Sequence, residues 1–284
     1  MNANLVTLRV WGDFACFTRP EMKVERVSYP VMTPSAARGV LEAVFWEPQM
    51  YYIVDSIRVV RKGRWVSFRR NEVTKVISLS DAKTWMRSPE KTSPIQAGGG
   101  AADGTQRNML ALQDVEYLIS AEVHTTPLAN RPEDKLEKYL SEIERRARAG
   151  KCFHRPGLGM REFAADFEWE AEPADAALTR RATELGQASE QFNEDLGLVL
   201  YDVFDRGERA EGFRWLSDEE IANLETQSPA SSGRGPKNQL VEAPRWNRAP
   251  IKPTPVFFHA KIEKSRMDCH PDRVTILTSA KGVS

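Results

Sequence analysis

The 284 residues are 41% hydrophobic and 28% charged, the composition of a globular protein long enough to bury a substantial core in one large or two small domains. Forty basic and forty acidic residues cancel, so no global field favours nucleic acid, and a local patch must carry any such partner. No apolar run approaches the roughly 20 residues of a membrane span, the first residues lack a leader pattern, and three distant cysteines (Cys16, Cys152, Cys269) suit free thiols, so a cytoplasmic protein without membrane contact is expected.

Leu5 to Trp11 alternates apolar and polar residues and predicts a first strand, broken at Gly12 and Asp13. Val24 to Val31 reads as a loop or a short extended segment. Thr33 and Pro34 predict a helix start, Thr as N-cap and Pro at the first helical position, with Ala37, Val40, Leu41 and Val44 inward and a stop before Pro48. Tyr51 to Val60 predicts the next strand and Arg64 to Val73 an arm of a hairpin. A β-α-β opening followed by more strands predicts an α+β protein with a ferredoxin-like, RNA-recognition-type half.

Ser78 to Thr105 is polar, with a Gly98 to Gly100 run, and predicts a mobile insertion near residues 78–105. Its glycines lack the Lys-Ser/Thr of a phosphate-binding loop. Gln113 to Val123 predicts another strand. Leu136, Leu140, Ile143 and Ala147 recur at helical spacing, with Asn130 and Glu133 as a capping box, Pro132 in the first turn and Gly150 as the stop. A strand is expected around Met160 to Phe167, then a linker or exposed helix from Glu168 to Glu190. Leu196 to Phe204 and Phe213 to Trp215 suggest a strand pair, and little regular structure is expected after Thr226. The expected division is a ferredoxin-like domain over 1–167, a smaller antiparallel β region over 168–225 and a low-structure tail over 226–284.

Lys138 and Arg145 share a helix face away from the apolar stripe and lead to Lys151, His154, Arg155 and Arg161 around Gly157 and Gly159. Two readings compete. In one, Glu142 and Glu144 neutralise a solvated face that ends in an ordinary turn. In the other, the cations track phosphates and the glycines let the main chain approach them. Spacing alone does not choose. Neither Cys152 with His154 nor Cys269 with His270 is joined by a second ligand pair at zinc-like spacing, so no metal or other cofactor is expected.

Lys138-Tyr139, the Arg145 to Gly150 run, Cys152 to Pro156 and Gly157 to Phe163 resemble the corresponding block of the CRISPR-associated Cas-five family, Dvulg or type I-C subtype. So do Leu8 to Tyr29, Met32 to Ala43, Phe68 to Val73 and Gln106-Arg107, in family order, over residues from about 5 to 205. The resemblance implies a ferredoxin-like fold with a smaller C-terminal β region. It also implies a protein that cuts precursor CRISPR RNA at the repeat hairpin without a metal, then stays on the 5′ handle as a cap of the Cascade complex. Implied partners are the CRISPR RNA, the Cas-seven backbone and Cas-eight large subunits, and target DNA within the complex.

Metal-free RNA cleavage needs a base for the 2′-hydroxyl, a cation for the developing phosphate charge and an acid for the 5′-oxygen. The resemblance places these roles on an aromatic Tyr or His ending the first helix and a Lys-His pair starting the central one, which here are Phe45, Lys138 and Tyr139. Phe45 can serve as neither acid nor base. Tyr139 keeps a hydroxyl, but a phenol titrates near ~10 and is a poor base at neutral pH unless Lys138 lowers it; it also reads as a half-buried residue at the stripe edge. Weakened or absent cleavage with RNA binding retained is therefore expected. Arg69, Arg70 and Asn71, with Gln106 and Arg107, bind phosphate or are strand-exposed groups. His154 beside Arg155 either meets a base or steadies a turn. Arg19, Lys23 and Arg26 either track the handle or belong to a solvated loop.

Overall fold

The computed structural model describes residues 4–96, 98, 100–186, 192–204, 219 and 254–277. In chain order these form β1 (Leu5–Ala15), β2 (Arg26–Val27), α1 (Pro34–Val44), β3 (Met50–Arg61), β4 (Arg64–Val73), α2 (Leu79–Arg87), β5 (Gly104–Thr125), α3 (Leu136–Arg148), β6 (Asp166–Trp169), α4 (Ala174–Glu184), β7 (Glu194–Asp202), β8 (Val256–Glu263), β9 (Arg266–Asp268) and β10 (Ile276–Leu277). It is a mixed α/β structure dominated by one sheet in the order β10-β8-β9-β3-β5-β1-β6, with β2 and β4 also on β5 and β7 on β8. All pairings are antiparallel except the short β2–β5 contact.

The 22-residue β5 organises the sheet. Its second half lies between β1 and β3, and its first half pairs with β4. Strands β3 and β4 therefore follow one another along the same neighbour, from Arg61 opposite Glu116 to Arg64 opposite Gln113. The joint passes through Gly63 at φ 79°, where a Cβ would meet the Gln113 carbonyl oxygen at 2.7 Å. The expected hairpin arm 64–73 is real, and its partner is residues 104–113, which extend the expected 113–123 strand backwards.

Alternation along β5 sets the two faces of the sheet. Val115, Tyr117, Ile119, Ala121 and Val123 join Leu8, Val10, Val54, Ile57 and Val59 in the main core, with α1 and α3 contributing Val40, Leu41, Val44, Tyr139, Ile143 and Ala147. On the other face α4 lays Ala177 and Leu178 against Val60 and Leu118. That face also buries Glu116, Ser120 and Glu122.

Several local expectations change. Helix α1 starts as expected, the Thr33 hydroxyl accepting from the Ala36 N–H at 3.2 Å. Helix α3 starts later than the Asn130 to Glu133 signal, with Lys135 as N-cap and no side-chain cap, because residues 126–134 turn on their own main-chain bonds. The 78–105 segment contains α2, capped by the Ser78 hydroxyl, and a single 3-10 turn at Pro89–Lys91. Residues 156–165 form a turn, so the strand expected from 160 begins only at Asp166. Phe213 to Trp215 lies outside the described residues; β7 pairs with β8, Asp202 opposite Val256. The tail expected to lack structure thus contains β8, β9 and β10. Val256, Phe258, Ala260 and Ile262 alternate inward in β8, a local pattern hidden by the Pro- and Ser-rich composition before it.

Gly159 pins the 156–165 turn against β1. It has φ 83°, and a Cβ would lie 2.2 Å from the Cys16 carbonyl oxygen, while the Cys16 N–H bonds the Leu158 carbonyl at 3.0 Å. Gly159→Ala is expected to cost about 1–3 kcal/mol from the left-handed backbone alone, with the clash added, and thermal unfolding should show a clear fall in Tm.

Candidate nucleic-acid interface

Phe45, Lys138 and Tyr139 meet where α1 ends and α3 begins. Phe45 is the C-cap of α1 and is 3% exposed. Its carbonyl accepts from the Tyr52 hydroxyl at 2.8 Å, and the Arg146 guanidinium sits 5.2 Å over its ring. Tyr139 is fully buried and donates its hydroxyl to Asp134 Oδ1 at 3.0 Å. Burial pushes the phenol upward, and the bond to the Asp134 carboxylate adds to this. The phenol therefore stays the poor base expected of it: the nearest strong influence is an anion to which the hydroxyl already donates.

Lys138 is the one of the three that reaches solvent, its side chain 44% exposed. Its ammonium lies 3.6 Å from Glu47 Oε2, 3.8 Å from Asp134 Oδ1 and 4.9 Å from the centre of the Tyr139 ring. Chemically the junction offers a cation and no free acid or base among these three. Tyr139→Phe is expected to slow any cleavage by far less than the ~10²–10⁴ of a general acid–base group; single-turnover assays check this.

The rest of the α3 face is neutralised. Arg145 grips Glu142 with two bonds of 2.9 and 2.7 Å, Arg146 joins the same carboxylate at 2.6 Å, and Arg148 pairs with Glu144 at 2.8 Å. Arg145 and then Arg146 hold the Glu142 carboxyl down to about 2. The solvated-face reading describes this part of α3.

After α3 the chain runs across to the other patch. The Phe153 and His154 N–H groups bond the Ala43 carbonyl at 2.9 and 3.0 Å, leaving both side chains exposed at the end of α1. Leu158 and Gly159 then dock on β1. Gly157 is tight for an internal reason, since a Cβ there would meet the Met160 carbonyl oxygen at 2.5 Å. Beyond them Arg26 reaches Met160 Sδ at 3.4 Å, and Arg70 reaches Glu162 at 3.0 Å.

Strand alternation splits the cations expected on the β4–β5 ribbon. Arg70 and Arg107, directly opposite each other, share a face with Phe68 and Met109 and are balanced by Glu72 and Glu162. Arg69 and Asn71 with Gln106 occupy the exposed face. Arg70 Nη1 is buried without a hydrogen-bond partner among the described residues. Arg19 stacks 4.6 Å over the Tyr29 ring. Lys23, Arg69, Arg155 and Arg161 are exposed, with no ion pair among the described residues. Trp11 is half-buried beneath Arg9 at 4.2 Å.

Asp134 and Glu47 escaped the sequence reading. Asp134 precedes Lys138 by one helical turn, a spacing that signals a pair; Glu47 gave no local signal. Among the described residues no group of three or more His, Cys, Asp or Glu side chains is placed to hold a metal ion, and no helix is long and apolar enough to cross a membrane.

Comparison with known proteins gives consistent matches. The family model for the CRISPR-associated protein Cas5, Cas5d type, matches residues 5–236. A CRISPR pre-crRNA endoribonuclease Cas5d from Mannheimia succiniciproducens is 41% identical over 216 residues, covering 75% of this chain and 91% of that protein. A protein of the same name from Thermus thermophilus is 41% identical over 267 residues, covering 92% and 89%. A crystal structure of a CRISPR-associated protein shares the fold, with a TM-score of 0.53 at 16% identity over 96% of both chains.

Proposed function

The chain belongs to the Cas5d family of CRISPR-associated proteins, and on that premise we propose that it binds the repeat-derived 5′ handle of CRISPR RNA, processes the precursor at the repeat hairpin and serves as a Cascade subunit. The observation that carries this reading is 41% identity across most of the chain to two proteins named pre-crRNA endoribonucleases. Partners on the same premise are the Cas-seven and Cas-eight subunits and target DNA held by the complex, and the site of action is the cytoplasm.

The finer fold reading rests on element and strand order. The run β1-α1-β3-β5-α3-β6 with sheet order β3-β5-β1-β6 supports a β-α-β-β-α-β, ferredoxin-like domain. Strands β7 to β10 extend it beyond β3 through β9.

The proposed RNA path runs from Lys138, along the 151–163 turn with His154, Arg155 and Arg161, to Arg26, Arg70 and Arg107. In the cleavage step the 2′-oxygen attacks phosphorus, its proton passes to a base, the 5′-oxygen leaves with a proton, and a 2′,3′-cyclic phosphate remains. Lys138 balances the charge that gathers on the phosphate oxygens. Phe45 and the buried, donor-locked Tyr139 take no part in the proton transfers.

That last point favours a second reading, a handle-binding assembly subunit that does not cut. Incubating the purified protein with its cognate repeat RNA in chelator decides between them. One cut leaving a cyclic phosphate supports the nuclease, tight binding of intact RNA supports the assembly subunit, and no preference for the repeat over random RNA of equal length defeats both.

A further inference from the structure

Asp134 has a side chain only 4% exposed, yet it is surrounded by donors. Oδ1 accepts the Tyr139 hydroxyl at 3.0 Å and lies 3.8 Å from the Lys138 ammonium, while Oδ2 accepts the Arg131 N–H at 3.2 Å. From the segment after α1, Glu47 approaches the same ammonium to 3.6 Å. Both distances to Lys138 exceed those of a formed N–H···O bond, which cluster near ~2.9 Å. The ammonium is thus attracted by two carboxylates and bonded by neither. An approaching phosphate meets a cation already oriented but still contested.

Tyr139 explains why Asp134 can hold this pose. Its buried hydroxyl leaves the core to reach Oδ1, so the carboxylate cannot rotate toward Lys138 without losing that bond, and the Arg131 N–H restrains the other oxygen. The phenol works as a strut. Glu47, 38% exposed on its side chain, has no such restraint and can turn away into water.

Resting on the reading that Lys138 meets an RNA phosphate, we propose that Asp134 is a positioning residue, which holds the Lys138 ammonium in a reactive pose at the mouth of the α1–α3 junction and weakens RNA binding by competing with the phosphate. Its removal therefore moves binding and cleavage in opposite directions. A merely structural role moves both the same way.

The test compares wild type, Asp134→Asn, Tyr139→Phe and Lys138→Ala on the cognate repeat RNA. Asp134→Asn keeps the shape and an acceptor for Tyr139 but removes the charge. It should bind about threefold tighter at low salt, the order expected from deleting one unit charge several ångströms from the phosphate in water, and the gain should vanish at high salt. Its single-turnover cleavage should slow about tenfold or more, since a displacement of ~1 Å costs up to 10². A folded Asp134→Asn that binds equally or more weakly overturns the proposal, as does tighter binding with an unchanged cleavage rate. If the wild type binds without cutting, the binding result alone decides.

Should Asp134→Asn fail to fold, Tyr139→Phe carries the test. Tyr139 is too buried to touch RNA, and losing its hydroxyl releases Asp134 toward Lys138, so binding should weaken on the order of twofold; unchanged binding overturns the proposal. Lys138→Ala separates the two levels. If it binds and cuts like wild type, the junction is not the RNA site; if it is defective while Asp134→Asn behaves as wild type, only the role of Asp134 falls.

Discussion

Lys138→Ala is expected to slow cleavage of repeat RNA in chelator by about 10²–10³, the cost of losing one pre-placed group that stabilises transition-state charge. Lys138 alone of the three junction residues is substantially exposed, and Phe45 and Tyr139 are enclosed in the core. Binding should change differently. One lost phosphate contact lowers the slope of log affinity against log salt by about 0.7–0.9, so the variant should still bind, more weakly and with less salt dependence. Arg70→Ala should lower the slope in the same way while leaving the chemical step intact, because it stands at the far end of the proposed path. Single-turnover rates and binding measured at several salt concentrations check both. A Lys138→Ala protein that cuts at the wild-type rate would remove this junction from the reaction.

The largest expected effect on stability comes from the opposite face of the sheet. Glu116 is fully buried and accepts from Arg9 at 2.6 Å and from Arg181 at 2.8 Å, with Arg61 at 3.3 Å. Arg181 belongs to α4, so this carboxylate ties that helix to β1, β3 and β5. Replacing one partner of a buried ion cluster typically costs ~3–5 kcal/mol, because the remaining charges lose their counter-ion. Here each arginine has a second acidic neighbour, Glu168, Asp114 or Glu184, which places Glu116→Gln near the lower end, about 3 kcal/mol. At about 2–4 °C per kcal/mol for a domain of this class, thermal unfolding should show a fall on the order of 6–12 °C.

The same group predicts a pH dependence. Burial works to raise the Glu116 carboxyl, but the bonds from Arg181 and Arg9 outweigh it and hold the group below its ordinary value. A carboxyl depressed in the folded state contributes stability that is fully present above the unfolded value, ~4.3, and is lost as pH falls through the lower folded value. Tm measured from pH 6 down to pH 3 should therefore fall more steeply for wild type than for Glu116→Gln. Parallel curves would mean that the arginines neutralise Glu116 without net linkage.

Where the signal was local, the sequence was enough. Thr33 and Pro34 announce α1, alternation announces β1 and the second half of β5, and the stripe from Leu136 to Ala147 announces α3, because capping and side-chain period depend only on residues a few positions apart. The family resemblance was likewise carried by contiguous blocks. The α4 region stayed undecided between linker and helix, since its buried side is only Ala177 and Leu178.

Other features depended on what the chain brings together. Period two states that Arg69 and Arg70 face opposite ways, but only the pairing of β4 with β5 shows that Arg70 meets Arg107 while Arg69 faces outward. The strands of the tail went unread, and they hold together through β7 and through β9 on β3, contacts between distant segments. The same holds at the junction: Lys138 and Tyr139 adjoin in sequence, but one is exposed and the other sealed. The sequence determined by itself which residues could carry charge and which face each element would bury; the tertiary structure decided which charges are answered, because Glu47 reaches Lys138 and Glu116 gathers three arginines only once strands and helices far apart in the chain are packed.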